Sequence, residues 1–201
     1  ACAPFRRLHL CHHNLENISD YNSNARHNLL VDVCMAAKYE GKSITGYYPI
    51  YQAKYNDYGS TICTVLARSF ADIGDIVRGK DLFYGNTHES KQRDKLENNL
   101  KTIFAKIYND VTTNGKTLKD RYKDTDNYYE LREDWWYANR ATIWEALTCD
   151  VKSGNNYFRQ TCSNDTSDTN EKCRCSDNPN TDPPTYFDYV PQYLRWFEEW
   201  A

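Results

Sequence analysis

Four residues within a five-residue span, His9, Cys11, His12 and His13, are of the types that bind transition metals. A structural zinc site needs four such ligands, usually from two pairs at knuckle spacing. Adjacent His12 and His13 do not both face one ion from regular structure, and no second Cys/His pair stands at that spacing. The cluster therefore reads as a disulfide cysteine with exposed histidines, with no metal and no cofactor. Signatures of catalysis are also missing: the chain has no GxSxG, HExxH, Walker loop or dinucleotide fingerprint. GDIVRGKD (Gly74 to Asp81) has glycines and a lysine. It lacks the preceding strand and the hydroxyl after the lysine that a phosphate loop needs, so it reads as a helix end and turn. The chain is expected not to be an enzyme.

Cations offer a different chemistry. Arg6 and Arg7 form a pair near the amino end, and Lys91 and Lys95 share a helix face that Lys101 and Lys106 continue. Lys116, Lys119, Arg121 and Lys123 follow. Brought together, such residues hold a sulfated polysaccharide, because clustered cations release counterions from a polyanion. Arg6, Arg7, Lys91, Lys95, Lys116, Lys119, Arg121 and Lys123 are the candidate glycan-binding residues. Taken singly, each reads as part of a solvated face balanced by Asp94, Glu97, Asp120 and Asp124. A formal net charge of −3 argues against whole-surface attraction to nucleic acid.

Sulfur supplies the remaining chemistry. Cys2, Cys11, Cys34, Cys63, Cys149, Cys162, Cys173 and Cys175 are scattered rather than set in CxxC knuckles, which favours disulfides in an oxidising compartment. Eight cysteines permit about 105 full pairings, so connectivity stays open. Cys173 and Cys175 flank one residue and are expected to bond to different partners. Asn17-Ile18-Ser19 and Asn164-Asp165-Thr166 match the weak N-glycosylation triplet. No signal peptide or membrane-spanning run is present, and the helical pattern continues uncapped to Ala201. The chain is read as a piece of a longer protein.

The elements that must position these groups are helices. Asn24 is expected to cap a helix that Gly41 stops, and Ile44 to Tyr58 reads as a loop. Ser60 is expected to cap a helix ending at Gly79, with Ile62, Val65, Leu66, Phe70, Ile73 and Val77 on its buried face. Gly74 inside it points to close helix packing. Ser90 is expected to cap a long helix ended by Asn114-Gly115. A helix from Tyr129 to about Cys149 buries Leu131, Trp135, Ala138 and Thr142. Lys152 to Pro184 is a polar loop pinned by cysteines. Pro191 starts a last helix with Tyr193, Trp196, Phe197 and Trp200 at helical spacing. No strand alternation occurs. The fold class is all-α, a disulfide-stapled helical bundle. Reduction is expected to destabilise it more than loss of any surface charge.

Three long blocks carry a resemblance: ARSFADIGDIVRGKDLF (Ala67 to Phe83), REDWWYANRATIWEALTC (Arg132 to Cys149) and PTYFDYVPQYLRWFEEW (Pro184 to Trp200). With ACAPFRRLHLC and LLVDVCMAAKYEG, they resemble the Duffy-binding-like adhesion domain of malaria parasites. The match is to the alpha class at the head of the erythrocyte membrane protein 1 adhesins. The resemblance implies a partial Duffy-binding-like fold. Residues 1–59 would be the end of subdomain 1, 60–180 the helical-bundle subdomain 2, and 184–201 the start of subdomain 3. It further implies display on the infected red cell as part of a membrane-anchored protein. The implied partners are host red-cell receptors or sulfated glycosaminoglycans, host antibodies and adjacent domains of the same adhesin. A structural spacer presenting a neighbouring binding domain is the alternative.

Overall fold

The computed structural model describes residues 2–18, 24–55, 61–113 and 116–200. It is helical, and among the described residues the only β-type pairings are two isolated bridges, Asn155 with Lys172 and Cys162 with Ser167. The helices are α1 (Phe5–Leu8), α2 (His13–Glu16), α3 (Ala25–Tyr55), α4 (Ile62–Arg78), α5 (Thr87–Thr112), α6 (Lys116–Arg121), α7 (Tyr129–Leu147) and α8 (Gln192–Trp200). A 3₁₀ turn, Phe187–Tyr189, precedes α8. The amino end thus holds two short helices.

α4 is the central rod. Nearly every residue from Ile62 to Arg78 is buried, because neighbours cover it on all sides. Thr61 caps it, its hydroxyl accepting from the Thr64 amide; the expected cap, Ser60, lies outside the described residues. Gly79 ends it in the left-handed conformation (φ 72°), as a glycine can without strain. Gly74 leaves room for Trp136 of α7, whose Cζ2 would stand 2.7 Å from an added Cβ. Phe70 then meets both Trp136 (5.0 Å) and Trp144 (5.2 Å) between ring centroids. One hydrophobic core runs from Leu10 through α3, α4, α5 and α7 to Cys173.

Several expected boundaries moved. α3 does not stop at Gly41 but continues through Pro49 to Tyr55, so the segment from Ile44 read as a loop is helical as far as it is described. Ile44 and Tyr48 pack on the core, and this burial outweighs the local cost of Gly46 and Pro49. Gly41 serves packing rather than termination: an added Cβ would lie 1.9 Å from the Leu147 carbonyl oxygen of α7. α5 begins at Asn86, not Ser90. The Asn86 side chain accepts from the His88 and Glu89 amides, and Glu89 returns the bond to the Asn86 amide as a capping box. Asn114-Gly115, the expected end of α5, lies outside the described residues. On α7 the buried face is Leu131, Trp135, Trp136, Ile143, Trp144 and Leu147; Ala138 is exposed and Thr142 half-buried.

The two glycines of α3 make opposite predictions. Gly41→Ala is expected to destabilise by about 1–3 kcal/mol, since the clash is with backbone. Gly46→Ala, with nothing within 4 Å of the new methyl, is expected to stabilise by roughly 0.5–1 kcal/mol. Urea denaturation of both variants checks the pair, and equal shifts would contradict it.

Disulfides pin the polar loop. Cys63 at the start of α4 bonds to Cys173, and Cys162 bonds to Cys175, so the closely spaced pair does take different partners. Cys2, Cys11, Cys34 and Cys149, the other disulfide candidates, are free thiols here. They face different surroundings. Burial and Glu40 push Cys11 up to about 11, burial and Glu145 push Cys34 up to about 11, and burial and Asp150 raise Cys149.

Candidate adhesion surface

The first and last of the three long sequence blocks meet the amino-terminal segment in a buried ionic seam. α4 places Asp72 and Asp75 on the face toward α1 and α8, and Asp81 follows its end. Arg6 donates to Asp72 (2.7 Å), to both Glu199 oxygens (3.0 and 2.9 Å) and to the Ser69 hydroxyl (3.1 Å). Arg7 pairs with Asp81 through Nε (3.3 Å) and Nη2 (2.5 Å). Arg195 donates to Asp72 (2.7 Å) and Asp75 (2.5 Å), and Gln192 to Asp72 and Asp81. Arg78 completes the seam on Asp75 (2.9 Å). Arg6 and Arg7, read from sequence as surface cations, are thus spent on interior carboxylates. Doublets of arginine look alike in sequence whether they face water or a buried aspartate.

The carboxylates of this seam titrate in opposite directions. Burial pushes Asp75 up to about 6, against the pull of Arg195 and Arg78. Burial also opposes ionisation of Asp72, but Arg6 and Arg195 outweigh it and hold Asp72 below the usual range. Asp75 binds its proton more tightly folded than unfolded, so its contribution favours folding as pH falls from 7 through 6. Asp72 stabilises above its unfolded value near 3.8, and that contribution is lost as pH falls through its lowered folded value. Stability is therefore expected to hold or rise between pH 7 and 5 and to decline below about 4 as Asp72 takes up its proton. Denaturant midpoints across that range provide the check, and steady loss from pH 7 downward would contradict the assignment.

A second buried centre joins α7 to the 3₁₀ turn. Asp188 accepts from Trp136 Nε1 (2.8 Å) and from Arg140 Nε (2.9 Å) and Nη2 (2.8 Å). Its main-chain oxygen accepts from Arg78 (2.5 Å). Asp188 thereby ties the turn that precedes α8 to both α4 and α7.

The remaining candidate cations lie outside. Lys91 and Lys95 are exposed on the first turns of α5, while Lys119, Arg121 and Lys123 are exposed on α6 and just after it. The Lys116 side chain lies outside the described residues. α5 is about 30 Å long from residue 91 to 112 at 1.5 Å per residue. The structure therefore groups Lys119, Arg121 and Lys123 by chain proximity and sets Lys91 with Lys95 on another helix. Arg121 is bidentate on Asp134 (2.7 Å twice), which raises its pKa first through that hydrogen bond, and Asp134 also accepts from the Tyr122 hydroxyl (2.8 Å). Asp124 is occupied by amides of Asp126, Asn127 and Tyr129, which lower its pKa and close the turn into α7.

Histidine placement follows the disulfide-and-surface reading less simply. His12 Nδ1 meets the Leu10 carbonyl (2.8 Å) and its Nε2 faces Glu16 (3.4 Å); burial, then Arg7, lowers its pKa. His13 reaches the same Glu16 (3.1 Å) and is exposed. Among the described residues no group of three or more metal-ligating side chains forms.

Two surface features were not foreseen. A groove of about 530 Å³ runs between α1–α2 and α5, floored by the turn after α4. It is assembled from distant segments, so no local pattern announces it. The other is apolar exposure: Val31, Met35 and Tyr39 stand outward on α3, and Tyr193, Phe197 and Trp200 on α8. Of the final aromatic stripe only Trp196 is buried. Helical spacing finds such a stripe but does not say whether anything covers it. On α3, Tyr47 is exposed and Tyr48 packs on the core, and Tyr128, just before α7, lies against Tyr108.

Comparison with known proteins agrees with this architecture. The Duffy binding domain model matches residues 1–195. The Duffy receptor beta form of Plasmodium knowlesi is 27% identical over 205 residues, covering 100% of this chain and 14% of that protein. The gamma form is 24% identical over 202 residues, covering 100% and 15%. The crystal structure of the NTS-DBL1(alpha-1) domain of PfEMP1 from the Plasmodium falciparum varO strain superposes with a TM-score of 0.80 at 45% identity, covering 100% of this chain and 43% of that one. A PfEMP1 DBLbeta domain solved bound to ICAM-1 superposes at 0.70 with 33% identity, covering 100% and 44%. The chain spans less than half the length of each of these relatives. It belongs to the Duffy binding domain family of malaria-parasite adhesion modules, and within that family it is similar to the alpha-class domains of PfEMP1.

Proposed function

We propose that this chain is a non-enzymatic adhesion module of a variant surface antigen, gripping host cells through red-cell receptors or sulfated glycosaminoglycans. The observation that carries the reading is the split among its cations. Arg6, Arg7, Arg78, Arg140 and Arg195 are locked inside, whereas Lys91, Lys95, Lys119 and Lys123 stand in water on α5 and beside α6. A rigid interior lets outer charges and loops vary without disturbing the core. Display on the infected red cell, within a longer membrane-anchored protein, belongs to the same proposal. So do host antibodies against segments 112–127 and 163–183, and contacts with adjacent domains. The division into 1–59, 60–180 and 184–201 is kept as part of it; the Cys63–Cys173 bridge closing most of the middle segment supports it.

The test is binding of the oxidised protein to red cells with and without soluble heparin. Salt-sensitive, heparin-blocked binding is expected, and the quadruple variant Lys91→Glu, Lys95→Glu, Lys119→Glu, Lys123→Glu is expected to lose at least about tenfold in heparin affinity. Binding indifferent to heparin and salt would instead place a protein receptor on this chain, as in the DBLbeta relatives solved with ICAM-1. Absence of any binding would leave it a spacer that presents a neighbouring domain.

A further inference from the structure

The two disulfides fasten the polar segment beyond α7, one of them to α4, but neither reaches α3, the longest helix. Two of the free thiols stand where α3 meets the end of α7. Cys34 is half-buried on α3, and Cys149 is exposed two residues past α7. Cys34, Ala37 and Gly41 follow one another at helical spacing on one face of α3. Ala37 is fully buried, and an added Cβ on Gly41 would lie 1.9 Å from the Leu147 carbonyl oxygen. This small-residue face therefore carries the α3 backbone directly onto the last turn of α7. Close backbone approach is what a disulfide needs, because its Cα atoms stand about 4.4–6.8 Å apart. Charged side chains one turn from each thiol cross the same junction. Glu145, one turn before Cys149, acts with burial to raise the Cys34 thiol, and Lys38, one turn after Cys34, pulls Cys149 down against burial and Asp150. Arg174 holds the turn that bears Cys149, donating to the Thr148 hydroxyl (2.7 Å) and the Glu145 carbonyl (2.8 Å). The other free cysteines face elsewhere. The Cys11 amide donates to Glu40 (2.9 Å), about 120° round α3 from Cys34, and the Cys2 carbonyl accepts from Trp200 of α8 (2.9 Å).

We propose that Cys34 and Cys149 form a third disulfide, which braces α3 against α7. The oxidant is a small disulfide such as oxidised glutathione. Cys149, the more exposed thiol, gives its proton to water, and its thiolate attacks one sulfur of the oxidant; one glutathione leaves as thiolate. Cys34 loses its proton in turn, and its thiolate attacks the Cys149 sulfur of the mixed disulfide, so the second glutathione leaves. Two protein thiols give up two electrons and two protons, and one oxidised glutathione becomes two reduced ones. The new bridge encloses a loop about as long as the 110-residue span of Cys63–Cys173 and gives α3 the covalent tie it lacks.

The test incubates the protein with oxidised glutathione, quenches it with N-ethylmaleimide and digests it with trypsin without reductant. Cys34 and Cys149 fall in separate peptides, 27–38 and 141–152, each with one cysteine. Mass spectrometry is expected to find these two peptides linked. Recovery of both as maleimide adducts, or only as mixed disulfides with glutathione, overturns the proposal. So does a link from Cys34 to Cys2 or Cys11. Cys34→Ser and Cys149→Ser, treated in the same way, are each expected to melt roughly 10 °C below the oxidised parent. The double variant is expected to melt no lower than either, because a single bond is lost in all three. Additive losses would assign the two cysteines to packing and reject the brace. If a serine variant refuses to fold, the peptide map of the unaltered protein decides the matter.

Discussion

Replacing Cys63 and Cys173 together by Ser is expected to lower the unfolding free energy by about 4–5 kcal/mol. The bridge spans 110 residues and ties the first turn of α4 to the polar segment beyond α7. Opening it releases a long loop in the unfolded chain, and loop entropy grows with length. It also frees the segment that places the Cys173 carbonyl on Trp144 Nε1 (3.0 Å) and Asn155 on Glu171 and Cys173. The second bridge, Cys162–Cys175, spans 13 residues and is expected to contribute about 3 kcal/mol by the same reasoning. Loss of an exposed charge such as Lys95 should stay within roughly 0.5 kcal/mol. Urea titration of oxidised, reduced and substituted proteins ranks the three. If reduction, with free thiols confirmed, leaves the midpoint where it was, the staple plays no stabilising part.

Asp188→Ala should cost about 3–5 kcal/mol, because it strands the buried Arg140 guanidinium and the Trp136 indole N–H at once. Asp188→Asn keeps one carbonyl oxygen but turns an amide N–H2 toward at least one of the three donors and loses the charge, so a smaller but still substantial loss is expected. The consequence reaches further than the site. The Asp188 turn leads directly into α8, whose Arg195 and Gln192 bind the carboxylates of α4. Protease cleavage within 184–200 should therefore rise in Asp188→Ala before global unfolding does. Cleavage unchanged at equal global stability would show that α8 docks independently.

Much of the scaffold was legible from residue order. The α4 face is written in Ile62, Leu66, Phe70, Ile73 and Val77, and Gly79 marks its end, because burial on one side of a rod imposes helical spacing on the chain. Cys173 and Cys175 declared separate partners, because a bridge between them is sterically strained. The misread positions each have their own cause. Gly41 has the residue type of a helix stop, yet its lack of a side chain is used sideways, against Leu147. Ser90 is a good cap residue, but Asn86 with Glu89 offers two reciprocal bonds and wins. Ala138 is small and apolar, and small apolar residues tolerate water.

For the site, residue identity announced charge but not its destination. Arg6 and Lys95 are both cations, and only the positions of Asp72 and Glu199 distinguish an interior arginine from an exposed lysine. Those acids lie 66 and 193 residues away from Arg6, so no local window contains the answer. What the linear order determined by itself is an all-helical, cysteine-rich chain of recognisable family, since spacing, capping and sulfur chemistry act over short distances. What the tertiary structure decided is which charges are spent within, which stand free for a partner, and where a groove opens. Those depend on surfaces that meet only after α1, α4, α7 and α8 have packed, and desolvation on packing turns the same side-chain type into either a structural tie or a point of contact.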